Sequence, residues 1–376
     1  MKVMIVVTHL LGTGHLGRAL TLAQAYQRAG DSVCVVSGGM PAPLLVRDFK
    51  GLVQLPPVRS DGVDFTRLLE GEDTLASPQT MKARQTKLLG TLHDFAPDII
   101  LTELFPFGRR ILRDEFQALL TAAKSQARPP LICASIRDIL APPSKPRKAA
   151  FADEMIAAFY DAVLVHSDPA LTPLELSWPV SERLRAALHY TGFVAPAPAH
   201  PHPQGTGTGE IIVSAGGGDV GDPVYLAAME AAAASGQRTR LLIGGADPAA
   251  RIARLRKSAP PHLLIEQARP DFRQMLYGAA ASVSLCGYNT ALDILQAGTP
   301  AVFIPFDEGN EVEQGLRAQA LSRRDHLTTL RRADLTPARL NEALAQVMAA
   351  TRTPARHSFD GAAQTVTITH ALRGAM

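Results

Sequence analysis

The chain has 376 residues and a formal net charge of +3, and 46% of its residues are hydrophobic. This length fits two domains of roughly 150–200 residues each. The composition is that of a folded protein and excludes a largely disordered one. The small net charge gives no reason to expect a nucleic-acid partner. Three scattered cysteines, Cys34, Cys133 and Cys286, form no CxxC pair, so neither a zinc site nor a disulfide framework is expected.

Nothing in the sequence indicates passage into or across a membrane. The first apolar run, Val3–Val7, is too short for a signal peptide. No run reaches the roughly 18–20 apolar residues that a membrane span needs. Unpaired cysteines fit a reducing compartment. We therefore expect a cytoplasmic protein.

The first half of the chain reads as alternating strands and helices. A helix with apolar residues at three- and four-residue spacing follows the first strand and ends near Gly30. Continuous apolar runs joined by helical crossovers indicate a parallel sheet that is covered on both faces. The predicted strands of this half are Val3–Thr8, Ser32–Ser37, Ile99–Thr102, Leu131–Ser135 and Ala162–His166.

A change of composition separates this half from a second α/β series. Residues 193–209 alternate first in Pro and then in Gly, which predicts a linker between residues 1–192 and residues 210–358. Residues 359–376 have helical potential. The predicted strands of the second series are Ile211–Ser214, Arg240–Ile243, Leu263–Glu266, Ser282–Leu285 and Ala301–Pro305.

The first motif is GTGHLGR, residues 12–18, which lies between a strand and a helix. It matches the GxGxxG dinucleotide fingerprint, but Asp31 precedes the second strand instead of ending it, which argues against NAD. A second alternative is that the glycines only make a tight turn. That alternative leaves His15 and Arg18 unexplained, because both lie at the carboxyl edge of the sheet, where open α/β sheets bind ligands.

Two further motifs lie in the second half. SAGGGD, residues 214–219, follows a strand, and its glycines would let backbone N–H groups approach a phosphate. CGYNT, residues 286–290, begins a helix that Asn289 or Thr290 would cap. Asp293 lies about one turn further on, where its carboxylate would accept hydrogen bonds from ribose hydroxyls; the alternative is a solvated helix charge.

The third motif and the segments around it resemble the nucleotide-sugar-binding half of MurG-type glycosyltransferases. The sequence is most similar to a bacterial group of predicted glycosyltransferases with GTGHxxR, GYNT and EQxxRA motifs. That group also has a PFG loop and an RDI segment, which are residues 106–108 and 137–139 here. The resemblance spans nearly the whole chain. It implies an α/β protein of the GT-B type, with two Rossmann-like domains facing a central cleft and a last helix, residues 359–376, that returns to the first domain.

The resemblance also implies the roles of individual residues. Asp293 would hold the ribose, and Glu313 and Gln314 would face the donor sugar. Asp replaces the usual Glu at the ribose position and Glu replaces Gln at position 313, so N-acetylglucosamine does not follow as the donor sugar. The candidate donor-binding residues are Gly14, Arg18, Ser214, Gly216, Gly217, Gly218, Gly287, Tyr288, Asn289, Thr290, Asp293, Glu313 and Gln314.

Sugar transfer needs a base for the acceptor hydroxyl, and histidine has a suitable pKa. His15 is the candidate base, with Glu103 as the first choice and Asp138 as the second choice for the acid that orients it. Helix N-termini and glycine amides would stabilise the departing diphosphate. We therefore expect a metal-independent enzyme that needs no cofactor besides its nucleotide-sugar donor, most simply a UDP-sugar.

The sequence does not identify the acceptor. A lipid-linked precursor or another cell-envelope or exopolysaccharide precursor would fit the resemblance. Residues 104–113 would then form an apolar and basic patch that contacts the inner face of the membrane; the alternative is an ordinary exposed helix start. Three alternatives to transfer remain open: hydrolysis of a nucleotide sugar, its epimerisation, and binding without catalysis.

Overall fold

The computed structural model describes residues 1–60, 67–71, 74–216, 220–308, 311–352 and 358–376. The chain divides into two compact units. Unit 1 comprises Met1–Pro196 and Ser358–Met376, and unit 2 comprises Ala197–His357.

Unit 1 contains a seven-stranded parallel sheet with strand order β3-β2-β1-β6-β7-β8-β9 and a small antiparallel pair, β4 and β5. Its strands are β1 (Lys2–Val7), β2 (Ser32–Ser37), β3 (Leu52–Gln54), β4 (Leu69–Glu70), β5 (Thr74–Leu75), β6 (Ile99–Glu103), β7 (Leu131–Arg137), β8 (Ala162–His166) and β9 (Leu188–Tyr190). Its helices are α1 (Gly14–Arg28), α2 (Pro43–Val46), α3 (Pro78–Phe95), α4 (Arg113–Lys124), α5 (Pro146–Phe159), α6 (Glu182–Ala187) and, from the end of the chain, α13 (Gly361–Gly374).

Unit 2 contains a six-stranded parallel sheet with strand order β12-β11-β10-β13-β14-β15. Its strands are β10 (Ile211–Ser214), β11 (Thr239–Ile243), β12 (Leu263–Gln267), β13 (Ala281–Ser284), β14 (Ala301–Phe303) and β15 (Leu327–Thr329). Its helices are α7 (Asp222–Ser235), α8 (Pro248–Arg256), α9 (Phe272–Leu276), α10 (Tyr288–Ala297), α11 (Glu313–Leu321) and α12 (Pro337–Ala349). Both units are therefore Rossmann-like α/β layers, which confirms the fold class expected from the sequence.

The position of strand β1 between two core layers explains why its sequence is continuously apolar. Val3, Ile5 and Val7 belong to the core layer that contains α1 and α13. Met4 and Val6 belong to the other layer, which contains α3 and α4. Successive side chains of a strand point to opposite faces, so a strand covered on both faces needs an apolar residue at every position.

The strand order reverses at one place in each sheet. In unit 1, β1 pairs with β2 on one side and with β6 on the other. In unit 2, β10 pairs with β11 and β13 in the same manner. The connections leave these two neighbouring strands in opposite directions, which opens a crevice at their carboxyl ends where α/β proteins bind ligands.

The segment predicted as a linker, residues 193–209, is divided between the two units. Phe193 is 1% exposed and stacks on Phe359 with 5.9 Å between the ring centroids, within unit 1. Gly207 has a φ of +88° and packs closely against Met275 in unit 2. The glycines therefore serve tight turns inside unit 2 and do not form a free tether.

The last helix, α13, packs on α1 within unit 1. Tyr26 and Thr369 share a buried hydrogen bond of 2.7 Å between their hydroxyl groups. The start of α13 lies directly against the backbone of Gly192 and Phe193. A Cβ on Gly361 would lie 2.4 Å from the carbonyl oxygen of Gly192 and 2.7 Å from that of Phe193. Only a residue without a side chain fits there.

We predict that Gly361→Ala destabilises unit 1 by about 1–3 kcal/mol, the usual cost of an extra methyl group in a packed site. Gly374→Ala is the matched control, because no atom lies within 4 Å of a Cβ at the other end of the same helix. Urea unfolding of the full chain, followed by circular dichroism, measures both variants. Equal midpoints for the two variants would show that the close approach at Gly361 is not a constraint.

Candidate active site

The crevice of unit 1 lies between the loop that follows β1 and the end of β6. Helix α1 begins at Gly14 in this loop, and it has neither a side-chain cap nor an acidic residue in its first turn. No atom lies within 4 Å of a Cβ built on Gly12, Gly14 or Gly17, so packing does not require these three glycines. The first amides of α1 are thus uncovered by side chains, as an anion site at a helix N-terminus needs.

The structure brings His15, Arg18 and Glu103 into direct contact. The imidazole Nδ1 of His15 lies 2.9 Å from Glu103 Oε1, and the Arg18 guanidinium donates a hydrogen bond to the same carboxylate oxygen. Glu103 is the last residue of β6, and its side chain is 2% exposed, whereas the side chain of His15 is 17% exposed. Sequence reasoning therefore selected the carboxylate that contacts His15 correctly, although Glu103 ends the strand instead of following it.

The charge of Glu103 determines the tautomer of His15. Burial alone would raise the pKa of Glu103, but Arg18 and the hydrogen bonds from His15 and Arg18 hold it below its ordinary value. An ionised carboxylate only accepts hydrogen bonds, so His15 donates through Nδ1–H and keeps a lone pair on Nε2. The pKa of His15 is lowered to about 4, mainly by burial. The charges of Arg18 and Arg109 add to this effect, and Glu103 opposes it. His15 is therefore neutral at physiological pH, as a general base must be.

A chain of hydrogen bonds that the sequence did not predict extends from Glu103 along the strand ends. Ser135 Oγ donates to Glu103 Oε2 at 3.0 Å and, because it has one proton, accepts from His166 Nε2 at 2.8 Å. The chain continues to Thr191, whose hydroxyl oxygen lies 2.9 Å from His166 Nδ1. Burial lowers the pKa of His166 to about 3, so it is neutral too. One feature of the sequence could have indicated these hydrogen bonds: Ser135 and His166 are each the last residue of a predicted strand.

The second candidate acid, Asp138, does not take the orienting position. It lies directly after β7 and is 1% exposed. The carboxylate that contacts His15 is that of Glu103, because β6 lies beside β1 in the sheet and β7 is one strand further away.

The segment 104–113 differs from the expected apolar and basic patch. Phe105 is completely buried and stacks on Phe116 with 4.4 Å between ring centroids, and Phe107 is 3% exposed and packs edge-on against Trp178. Burial of both rings in the core removes the aromatic part of the patch. What the segment presents at the surface is mainly basic, with the Arg113 side chain 64% exposed.

In unit 2 the loop after β10 begins with Ser214, whose hydroxyl accepts a hydrogen bond of 3.3 Å from the Gly216 N–H. Gly216 has a φ of +71°, which favours glycine at this position. Gly217 and Gly218 lie outside the described residues. At the start of α7, Asp222 is paired with Arg251 and Arg254, so this helix end already carries a compensated carboxylate.

The start of α10 corrects the expected cap. Gly287 is the N-cap residue, with φ −64° and ψ 152°, and it makes no side-chain hydrogen bond to the helix. Asn289 and Thr290 were expected to cap the helix, but both lie inside its first turn. Tyr288 is the first helical residue, and the Arg317 guanidinium lies 5.8 Å from the centroid of its ring. Glycine has no side chain that could accept hydrogen bonds from the first amides of α10, so these amides have no side-chain cap.

Asp293 lies in the second turn of α10 and has a partner in this structure. Arg273 Nε donates to Asp293 Oδ1 at 2.8 Å, and Arg273 Nη2 donates to Gln296 Oε1 at 2.7 Å. Burial raises the pKa of Asp293, and Arg273 opposes that shift. The carboxylate is 15% exposed. Arg273 was not singled out from the sequence, because nothing in its spacing relates it to Asp293.

Gln314 and Glu313 open α11. Gln314 Oε1 accepts hydrogen bonds of 3.1 Å from the backbone N–H groups of Cys286 and Phe306, so it joins the loops that follow β13 and β14. That leaves its Nε2 amide to donate to a ligand. Glu313 begins the helix, and its N–H donates to the Glu311 carboxylate at 2.8 Å.

Comparison with known proteins agrees with this arrangement. Residues 269–367 match the glycosyltransferase family 28 C-terminal domain. MurG of Acinetobacter baumannii is 16% identical in sequence, with a TM-score of 0.64 over 99% of this chain and 100% of that one. The calicheamicin glycosyltransferase is 18% identical, with a TM-score of 0.66 over 99% and 98% of the two chains. Comparison with curated proteins gives no match. The chain therefore has the GT-B fold.

A third GT-B structure extends the comparison. The glycosyltransferase VinC, solved in complex with dTDP, is 15% identical, with a TM-score of 0.61 over the full length of both chains. Within the parts of this GT-B chain that the structure describes, no group of three or more His, Cys, Asp or Glu side chains is arranged to hold a metal. No helix in those same parts has the length and apolar character that crossing a membrane requires.

The electrostatics of the GT-B unit 1 site can be tested by titration. In 15N-histidine-labelled protein we predict that the His15 imidazole titrates near pH 4. Glu103→Gln should lower that pKa further, because a stabilising negative charge is lost, and Arg18→Met should raise it, because a repelling positive charge is lost. Arg113→Met, an exposed charge change in the same unit, is the control and should leave the titration unchanged. A His15 that titrates near pH 6.5 would contradict the burial of this imidazole.

Proposed function

We propose that the protein is a metal-independent glycosyltransferase that transfers a sugar from a nucleotide sugar, most simply a UDP-sugar, to an acceptor hydroxyl. The observation that carries the proposal is the contact between His15 and Glu103 at the crevice of unit 1, in a chain with a family 28 domain. A neutral imidazole with Nδ1–H held by a carboxylate and Nε2 unprotonated is the arrangement of a general base.

Unit 2 would bind the donor. The amides at the start of α10 and the left-handed backbone at Gly216 favour a diphosphate, since helix N-termini and glycine amides stabilise negative charge. These groups would carry the leaving-group charge without a metal ion or another cofactor. Asp293 would accept from the ribose hydroxyls, and Glu313 and the Nε2 of Gln314 would contact the sugar.

Unit 1 would bind the acceptor and supply the base. His15 Nε2 would take the proton of the acceptor hydroxyl as the oxygen attacks C1 of the donor sugar. The nucleoside diphosphate would depart with the bonding electrons. Glu103 would stabilise the imidazolium that forms, because its pKa lies below the ordinary value and it stays ionised. We further propose that the protein works in the cytoplasm, with membrane contact through residues 104–113 when the acceptor is lipid-linked.

The donor can be identified by a thermal-shift screen of UDP-, GDP- and dTDP-sugars. The proposal expects one nucleotide class to raise the melting temperature, with UDP-sugars first. If none of the three classes binds, the protein is not a nucleotide-sugar enzyme of the proposed kind. Release of nucleoside diphosphate only when an acceptor is added separates transfer from hydrolysis, and product analysis separates both from epimerisation.

We predict that Asp293→Ala weakens the binding of the free nucleoside diphosphate by on the order of 1.5–3 kcal/mol, because two charge-assisted hydrogen bonds to the ribose are lost. Calorimetry measures the affinity. Gln296→Ala is the matched control, since it removes the neighbouring contact to Arg273 but leaves the carboxylate in place. If Asp293→Ala folds and binds with unchanged affinity, Asp293 does not hold the ribose.

We predict that His15→Ala lowers turnover by roughly 10²–10⁴-fold, the usual contribution of a positioned base, and leaves donor affinity unchanged. Nucleoside diphosphate release, donor affinity and melting temperature are measured on one preparation, with EDTA present because no metal is required. His93→Ala, whose side chain is 89% exposed on α3, is the control. Full activity in His15→Ala would exclude the proposed mechanism but not the fold.

A further inference from the structure

The loop that connects β6 to α4 holds Arg109 in a constrained backbone conformation. Leu104 and Arg109 have φ values of +68° and +57°, in the left-handed region that residues other than glycine rarely adopt. Phe105 and Phe107 lie between these two residues, and their buried rings hold the loop in place. Strained residues of this kind persist where the surrounding structure determines them, and they concentrate at ligand sites.

One nitrogen of the Arg109 guanidinium, Nε, is held by a hydrogen bond, whereas Nη1 and Nη2 make none to the described residues. Its Nε donates to the Thr8 carbonyl oxygen at 2.6 Å, which places it over the end of β1, next to the strand that ends at Glu103. In the described part of the chain, Nη1 and Nη2 of Arg109 donate no hydrogen bond, and no carboxylate forms an ion pair with them. Three buried arginines of the two units do have carboxylate partners: Arg18 with Glu103, Arg84 with Glu115 and Arg240 with Glu210.

Among the described residues whose charges act on His15, the cations outnumber the anions. Arg18 and Arg109 are two cations, Glu103 is one anion, and His15 is neutral. Arg109 lies close enough to Glu103 and Arg18 to interact with both, and burial lowers its pKa to about 10, so it stays charged. Arg109 is thus a partly desolvated cation that forms no ion pair with a carboxylate of the described residues, and such a charge is unfavourable unless an anion binds to it.

The surface beside Arg109 is basic as well. Arg110 Nη1 donates to the Phe107 carbonyl oxygen at 2.5 Å. The pKa of Lys148 is lowered first by burial and then by the charges of Arg110, Lys145 and Arg147. Helix α5 begins at this cluster, with no acidic residue in its first turn and no side-chain cap. Like charges gathered at the positive end of a helix attract anions.

We propose that Arg109 binds a phosphate or carboxylate group of the acceptor, so that the enzyme selects acceptors that carry an anionic group as well as the hydroxyl that His15 deprotonates. This inference rests on the proposed function, because it names the substrate class for that same site. The two free Nη groups form a fork that matches two oxygens of a phosphate. Arg110 and Lys148 lie at the side of this anion site and attract the acceptor to it.

Inorganic phosphate is the first probe, measured by calorimetry on the full chain. The wild-type protein should bind it, and Arg109→Met should weaken binding at least tenfold. Arg113→Met removes an exposed arginine paired with Asp114 at the start of α4 and should bind phosphate as the wild type does. Wild-type affinity in Arg109→Met would overturn the proposal.

A second measurement does not depend on the fold of a variant. Phenylglyoxal modifies accessible guanidinium groups, and peptide mass spectrometry reports each site. Phosphate should protect Arg109 of the wild-type protein from modification and should leave Arg113 unprotected. Equal protection of both arginines, or of neither, would count against the site.

Two further probes identify where the anion comes from. UDP should bind Arg109→Met as tightly as it binds the wild type; an equal loss for UDP and phosphate would assign Arg109 to the donor diphosphate and overturn the acceptor assignment. Phosphatidylglycerol vesicles should bind both proteins alike. Loss of vesicle binding in Arg109→Met, without phosphate binding by the wild type, would make the site a lipid-headgroup contact instead. None of these readouts needs turnover, so a protein that binds phosphate at Arg109 but transfers no sugar would refute only the proposed function.

Discussion

The buried carboxylate of Glu103 is the group on which the arrangement of the unit 1 site depends. A carboxylate that is 2% exposed is stable only when donors and cations surround it. Arg18 and His15, both on α1, and Ser135 on β7 supply them. The contact with Glu103 fixes the His15 ring and selects its tautomer, whereas burial is the main cause that keeps the imidazole neutral.

In each unit the crevice lies where the strand order of the sheet reverses, but different groups line the two crevices. In unit 1 the side chains of His15, Arg18 and Glu103 contact one another at the crevice, which suits the proposed proton transfer because reacting groups must be held in fixed positions. In unit 2 the start of α10 follows Gly287 and has no side-chain cap, and no atom lies within 4 Å of a Cβ at that glycine. Backbone amides next to open space suit a diphosphate, whose charge is spread over several oxygens.

Sequence patterns predicted the long central strands and the neighbourhood of the site, because apolar runs and glycine motifs are local signals. They missed β3, β9 and β15, which are three residues long and show no extended apolar run. They also missed Ser135, Thr191 and Arg273, whose roles come from partners far away in the chain. His15 and Glu103 were found together because both lie at the carboxyl ends of neighbouring parallel strands, a relation that topology imposes whatever the intervening sequence.

As the proposed base, His15 with its pKa of about 4 would be well oriented but weak, and the charges around it offer a way to strengthen it. Burial and the cations Arg18 and Arg109 lower the pKa of His15, and only Glu103 opposes them. An anionic acceptor bound at Arg109 would neutralise one of these cations and would place a second negative charge near the imidazole. Both changes favour the imidazolium and raise the basicity of His15. Water brings no such charge, so this arrangement would make His15 a better base when the acceptor is bound than when water alone is present, and transfer would be favoured over hydrolysis of the donor.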